Sequence, residues 1–116
     1  MCCVSIGLSA ETWTDANGTV WSFSPIDSNA SIYGISGTIP NDLVIPSTVY
    51  VNDTPYTVTS IGRYAFRDNK KLASINIPEG VTYIGTEAFY GCSNLTSINI
   101  PEGVTLIESS AFNFCI

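Results

Sequence analysis

The chain of 116 residues has no histidine and only four basic residues, and 12% of it is charged. Without histidine, the usual general base, the Ser-His-Asp and Cys-His arrangements and the commonest metal ligand are all missing, which argues against an enzyme. The net charge of -6 at pH 7 argues against nucleic acid, because phosphate-backbone binders gain most of their affinity by neutralising phosphates with Lys and Arg. No stretch approaches the ~20 apolar residues a membrane span needs. Four cysteines are present, but with no CxxC pair and no histidine a zinc site is not expected. No cofactor is implied either.

What is present is hydrophobic, at 45% of residues, too much for a disordered chain. All four basic residues, Arg63, Arg67, Lys70 and Lys71, fall in one short stretch of an otherwise acidic or neutral chain. That stretch reads as a solvated turn or as a contact for a small anion or partner. Residues 1–10, MCCVSIGLSA, resemble the end of a secretory h-region with a small-residue cleavage site, lacking the basic segment that normally precedes it. An ordinary buried first strand is the other reading. On the first, Cys2 and Cys3 are removed with the leader and the destination is extracellular.

The informative feature is a repeat. Residues 72–94, LASINIPEGVTYIGTEAFYGCSN, recur as residues 95–116, LTSINIPEGVTLIESSAFNFCI, in a register of 23. The same register runs backwards, aligning Ile61, Ile84 and Ile107, then Val58, Val81 and Val104, then Phe66, Phe89 and Phe112, then Asn69, Cys92 and Cys115. Leu43-Val44-Ile45-Pro46 matches Ile75-Asn76-Ile77-Pro78, followed by about nine extra residues around Tyr50 to Tyr56 that read as a hairpin excursion over Asn52-Asp53.

Within one copy, Ile75 and Ile77 alternate with Ser74 and Asn76, the period of a half-buried strand, and Pro78 ends it because proline cannot donate to a ladder. The Pro-Glu-Gly and Ile-Gly segments then read as turns. One copy is too small to bury its own apolar face, so successive copies must stack into a quasi-one-dimensional array.

The pattern LxxIxIPxxVxxIGxxAFxxC over residues 72–92 resembles the BspA-like class of leucine-rich repeats, known from bacterial and protist surface proteins. The resemblance covers about residues 41–116. It implies a leucine-rich-repeat solenoid, right-handed, with a short parallel β-sheet on the concave side, and a role in adhesion to host or neighbouring-cell proteins. Glu108 departs from it, standing where Gly85 leads one to expect glycine. The last of about three repeats is truncated, so a longer array or end-to-end self-association is expected.

Residues 11–40, which hold both tryptophans, read as a β-rich N-terminal cap. Asp15-Ala16-Asn17-Gly18 resembles the opening of a calcium loop, but the twelfth position is Ile26 rather than Glu, and a hairpin tip is the better reading. Cys92 and Cys115 fit the Asn/Cys ladder of leucine-rich repeats as structural thiols. Glu79 and Glu102 recur because the module recurs, and no nucleophile accompanies them.

The candidate partner-binding residues are the outward row Ser74, Asn76, Ser97 and Asn99, rimmed by Glu79 and Glu102. A merely solvated face is the alternative. The expected function is recognition of, or adhesion to, an extracellular protein at the cell surface. The alternative is a scaffold or carbohydrate-recognition segment of a larger secreted protein, which exposed aromatic platforms on one face would favour.

Overall fold

The structure, a computed structural model, describes residues 10–115. All but the last residue of the leader-like segment, Cys2 and Cys3 included, therefore lies outside the described residues. Ten strands follow in chain order: β1 Glu11–Thr14, β2 Thr19–Ile26, β3 Asn29–Gly37, β4 Asp42–Val44, β5 Thr48–Val51, β6 Thr54–Ile61, β7 Ser74–Asn76, β8 Tyr83–Ile84, β9 Ser97–Asn99 and β10 Leu106–Ile107. No helix occurs among the described residues, so none is long and apolar enough to cross a membrane.

The repeats stack with their equivalent residues in register. β4, β7 and β9 form a three-stranded parallel sheet that aligns Leu43, Ile75 and Ile98. The Ile-Gly segments do more than turn the chain. Tyr83–Ile84 pairs in parallel with the end of β6 and Leu106–Ile107 in parallel with Tyr83–Ile84, aligning Ile61, Ile84 and Ile107 in a second sheet. Two-residue strands carry too little periodicity to be read from sequence, and only the backbone bonds of the adjoining turns define them. Thr82 and Thr105 N–H donate to the carbonyls of Thr59 and Thr82, 2.9 Å away in each case.

The fold is a β-solenoid whose inward side chains form one core. Leu43, Ile75, Ile45 and Ile77 enter it from the smaller sheet, and Val58, Ile61 and Ile84 from the larger. The returning turns contribute Phe66 and Phe89, stacked at 5.2 Å and 8°, with Phe112 continuing the pile at 5.1 Å and 5°. Glycine is required where the turns approach most closely. A Cβ on Gly85 would stand 2.8 Å from the Arg63 nitrogen and 2.9 Å from the Gly62 carbonyl carbon. At the equivalent place in the next turn, Glu108 keeps the ladder: its N–H donates to Ile84 O at 2.9 Å, and its carboxylate accepts from Tyr83 Oη at 3.2 Å.

β1, β2 and β3 form an antiparallel meander, and β3 pairs in parallel with β6. This N-terminal segment thus extends the larger sheet and feeds the common core, with Trp21 meeting Phe66 edge-on at 6.5 Å. The excursion over Asn52-Asp53 is a hairpin between β5 and β6, and both turn residues take positive φ, 50° and 70°, as a tight two-residue hairpin turn requires.

The Asp15 turn is closed by Gly18 at φ 86°, whose N–H donates to Asp15 O. The Asp15 carboxylate accepts from the backbone of Asn17 and Thr19 and, at 3.0 Å, from Trp21 Nε1. Partial burial works to raise its pKa, but those hydrogen bonds outweigh it and hold the carboxyl below the usual range.

Candidate functional site

The three-stranded sheet is short because Pro46, Pro78 and Pro101 follow its strands almost at once. Alternation sends Leu43, Ile75 and Ile98 inward, and their neighbours outward. Parallel register then aligns the outward residues in two rows. One contains Asp42, Ser74 and Ser97, and the other Val44, Asn76 and Asn99.

One pair in each row is tied laterally. Ser74 Oγ donates to Asp42 Oδ1 at 2.7 Å, and Asn99 Nδ2 donates to Asn76 Oδ1 at 3.0 Å. These bonds consume part of the hydrogen-bonding capacity and fix side-chain orientation, leaving the remaining amide and hydroxyl groups of a preordered surface for a partner.

All four row residues expected from sequence are brought onto this one face; Asn76, Ser97 and Asn99 are exposed and Ser74 is half-buried. Glu79 and Glu102 are exposed in the turns that follow the strands. Asn76 and Glu79 also border a shallow groove of about 360 Å³ with Val44, Pro46 and Pro78. Ser97, Asn99 and Glu102 do not line it.

Sequence reasoning passed over Asp42 and Val44, although the match of Leu43-Val44-Ile45-Pro46 to Ile75-Asn76-Ile77-Pro78 carried the signal. Val44 takes the place of an asparagine in its row and is 66% exposed, an aliphatic contact at the mouth of the groove.

The thiols serve the interior. Cys92 Sγ donates to Phe66 O at 3.0 Å and Cys115 Sγ to Phe89 O at 2.9 Å, each bridging one turn to the one before. Burial pushes the Cys92 thiol up to about 11 and raises that of Cys115 as well, which opposes formation of a nucleophilic thiolate. Among the described residues no group of three or more His, Cys, Asp or Glu is placed to hold a metal ion.

Comparison with known proteins agrees with this geometry. The family model for the BspA type leucine rich repeat region matches residues 45–116. A leucine rich cell surface protein from Faecalibacterium prausnitzii A2-165 superposes with a TM-score of 0.75 at 32% identity, over 91% of this chain and 28% of its own. A leucine-rich repeat protein from Bacteroides ovatus gives 0.70 at 29% identity, over 84% of this chain and 32% of its own. The chain therefore spans well under two thirds of either structure. A third, from Bacteroides capillosus, gives 0.73 over 84% of this chain and 71% of its own, and at 24% identity shows the fold alone. No protein of curated function matches. With the matched region covering more than half of its length, the chain belongs to the BspA-type leucine-rich repeat family.

Proposed function

We propose that this chain is a protein-recognition segment displayed at the cell surface, where it mediates adhesion by binding an extracellular protein through the outward face of β4, β7 and β9. The observation that carries this reading is the pair of outward rows, Asp42-Ser74-Ser97 and Val44-Asn76-Asn99, each with one lateral side-chain hydrogen bond, on a short sheet beside an aliphatic groove. A surface already ordered before binding loses little side-chain entropy when a partner arrives. Glu79 and Glu102 at its rim favour a partner with basic residues.

None of the six outward residues is aromatic, so this face, unlike the part of the surface that exposes Tyr64 and Phe114, offers no platform for stacking sugars and suits a protein partner. The resemblance to a neighbour described as a cell surface protein supports display outside the cell. Exposed Ile100, just after β9, and Leu106 and Ile107 of β10 make an apolar edge suited to stacking a further turn of the same kind, including one from a second copy.

The test is capture of extracellular proteins by the immobilised chain, compared with the Asn76→Arg, Asn99→Arg double variant. Both substitutions lie on the exposed face, but they remove the Asn99–Asn76 bond and set two like charges side by side, so capture is compared at a temperature where circular dichroism shows parent and variant equally folded. Loss of the captured protein in the variant supports the proposal. Unchanged capture, or capture abolished equally by a soluble polysaccharide, overturns it.

A further inference from the structure

The segment returning from β6 to β7 holds all four basic side chains of the chain, and it also gathers aromatic ones. The Arg63 guanidinium lies 4.8 Å from the centre of the Tyr64 ring and donates to Tyr64 Oη at 3.1 Å. Arg67 lies 5.5 Å from the same ring and 4.9 Å from that of Tyr90 in the next turn, and its Nε is 3.1 Å from Glu87 Oε1. Tyr90 in turn meets Phe114 edge-on at 5.2 Å. The result is a pile of rings and guanidinium planes running across three turns.

Two features set this pile apart from a solvated turn. The first is the presentation of the rings. Positive φ recurs at the same two places in every turn, at Tyr64, Glu87 and Ser110 and at Asp68, Gly91 and Phe114, so the left-handed backbone belongs to the repeating turn. Where those places carry an aromatic residue, the ring stands outward: Tyr64 is 43% exposed and Phe114 65%.

The second feature is the state of the charges. Glu87 pairs with Arg67 and Glu108 accepts from Tyr83, so these carboxylates are already engaged. Arg63 is stacked and oriented by Tyr64 but makes no ion pair with a described carboxylate. It presents a planar fork of donors suited to a carboxylate, and Lys70 and Lys71 keep the segment net positive although Asp68 lies between them and Arg67.

We propose that the Arg63-Tyr64-Arg67-Tyr90 pile is a second docking surface, separate from the β4-β7-β9 face, and that it binds an acidic polypeptide segment carrying apolar side chains. Arg63 takes a carboxylate, Arg67 is held by Glu87 and the two tyrosines as the pillar that positions the rings, and Tyr64 and Phe114 cover the partner's apolar groups. Exposed Tyr, Phe and Arg together have the composition of protein-binding hot spots. The acidic remainder of the chain does not forbid this contact, because charges beyond ~8 Å are largely screened at physiological ionic strength.

The experiment is fluorescence anisotropy of the full chain with two labelled dodecapeptides, one of Asp and Glu with three Phe residues, and one with every acid replaced by Lys. Binding of the acidic peptide alone is expected, weakening as salt rises. Arg63→Gln should lower that affinity about tenfold, and Arg63→Lys should fail to restore it, since a point charge does not reproduce the fork. Tyr64→Gly should also weaken binding while leaving the thermal midpoint unchanged or raised, an outcome a purely structural tyrosine would not give. Equal binding of the lysine peptide, no binding of either, unaltered affinity in Arg63→Gln, or binding of oligogalacturonate but not of the acidic peptide would each overturn the proposal.

Discussion

Replacing Phe89 by alanine should remove ~3–5 kcal/mol of unfolding free energy, the range for deleting a fully buried aromatic ring. Phe89 has no exposed surface and stacks on two neighbours, Phe66 at 5.2 Å and Phe112 at 5.1 Å. Each stacked pair adds ~0.5–1.5 kcal/mol beyond area burial. Phe112 is half-buried with Phe89 as its ring partner, so Phe112→Ala should cost about half as much or less. Since small domains hold only ~5–15 kcal/mol in total, Phe89→Leu, at about 1–2 kcal/mol, provides a variant that remains folded.

Urea titration should be followed by far-ultraviolet circular dichroism and by fluorescence of Trp13 and Trp21, which lie in the N-terminal meander. A double-mutant cycle over Phe89→Leu and Phe112→Leu should return a coupling of about 0.5–1 kcal/mol. If the two positions cost the same, or if their effects add with no coupling, the turns do not share one interior and the stacking argument fails.

Gly85→Ala should destabilise by ~1–3 kcal/mol despite the smallness of the change, because the added methyl meets backbone atoms that cannot step aside; chemical denaturation reads this directly. Asp15→Ala should cost ~1–2 kcal/mol through loss of the bonds from Asn17, Thr19 and Trp21. Because the folded carboxyl titrates below its unfolded value, its contribution is present above about pH 4 and lost as pH falls through the folded pKa, so parent and variant stabilities should converge in acid.

The Cys92 thiol titrates above its unfolded value, so its contribution holds below about pH 9 and is lost as pH rises through 11. The alkaline fall in stability should be shallower in Cys92→Ala, and native Cys92 should react with a thiol reagent at pH 8 only on the timescale of unfolding. Rapid modification of the folded chain would contradict the burial of Cys92.

The limits of sequence reading show at particular residues. Ile75 and Ile77 alternate with polar neighbours before Pro78, which was enough to place a strand and its outward row. Tyr83–Ile84 offered only two residues between turn signals, and its pairing depends on carbonyls contributed by Thr59 and Ile61 from the preceding turn. The basic cluster of Arg63, Arg67, Lys70 and Lys71 was legible in the sequence as a solvated turn or a partner contact, but the stacking of its arginines with Tyr64 and Tyr90 was not. Their stacking depends on the left-handed backbone at Tyr64 and on the lateral spacing of turns, neither of which leaves a compositional trace. Val44 was passed over although its match to Asn76 placed it in the outward row, where alternation turns it to solvent.

The 23-residue register alone determined the family, the obligatory stacking and which side chains share the interior, because periodic apolar residues in units too small to fold singly leave no other way to bury them. Tertiary structure alone decided that there are two parallel ladders, that the N-terminal meander extends the larger one, and which exposed side chains meet across turns. Those outcomes rest on hydrogen bonds and ring contacts between residues far apart along the chain, whose geometry is set only once the turns are stacked.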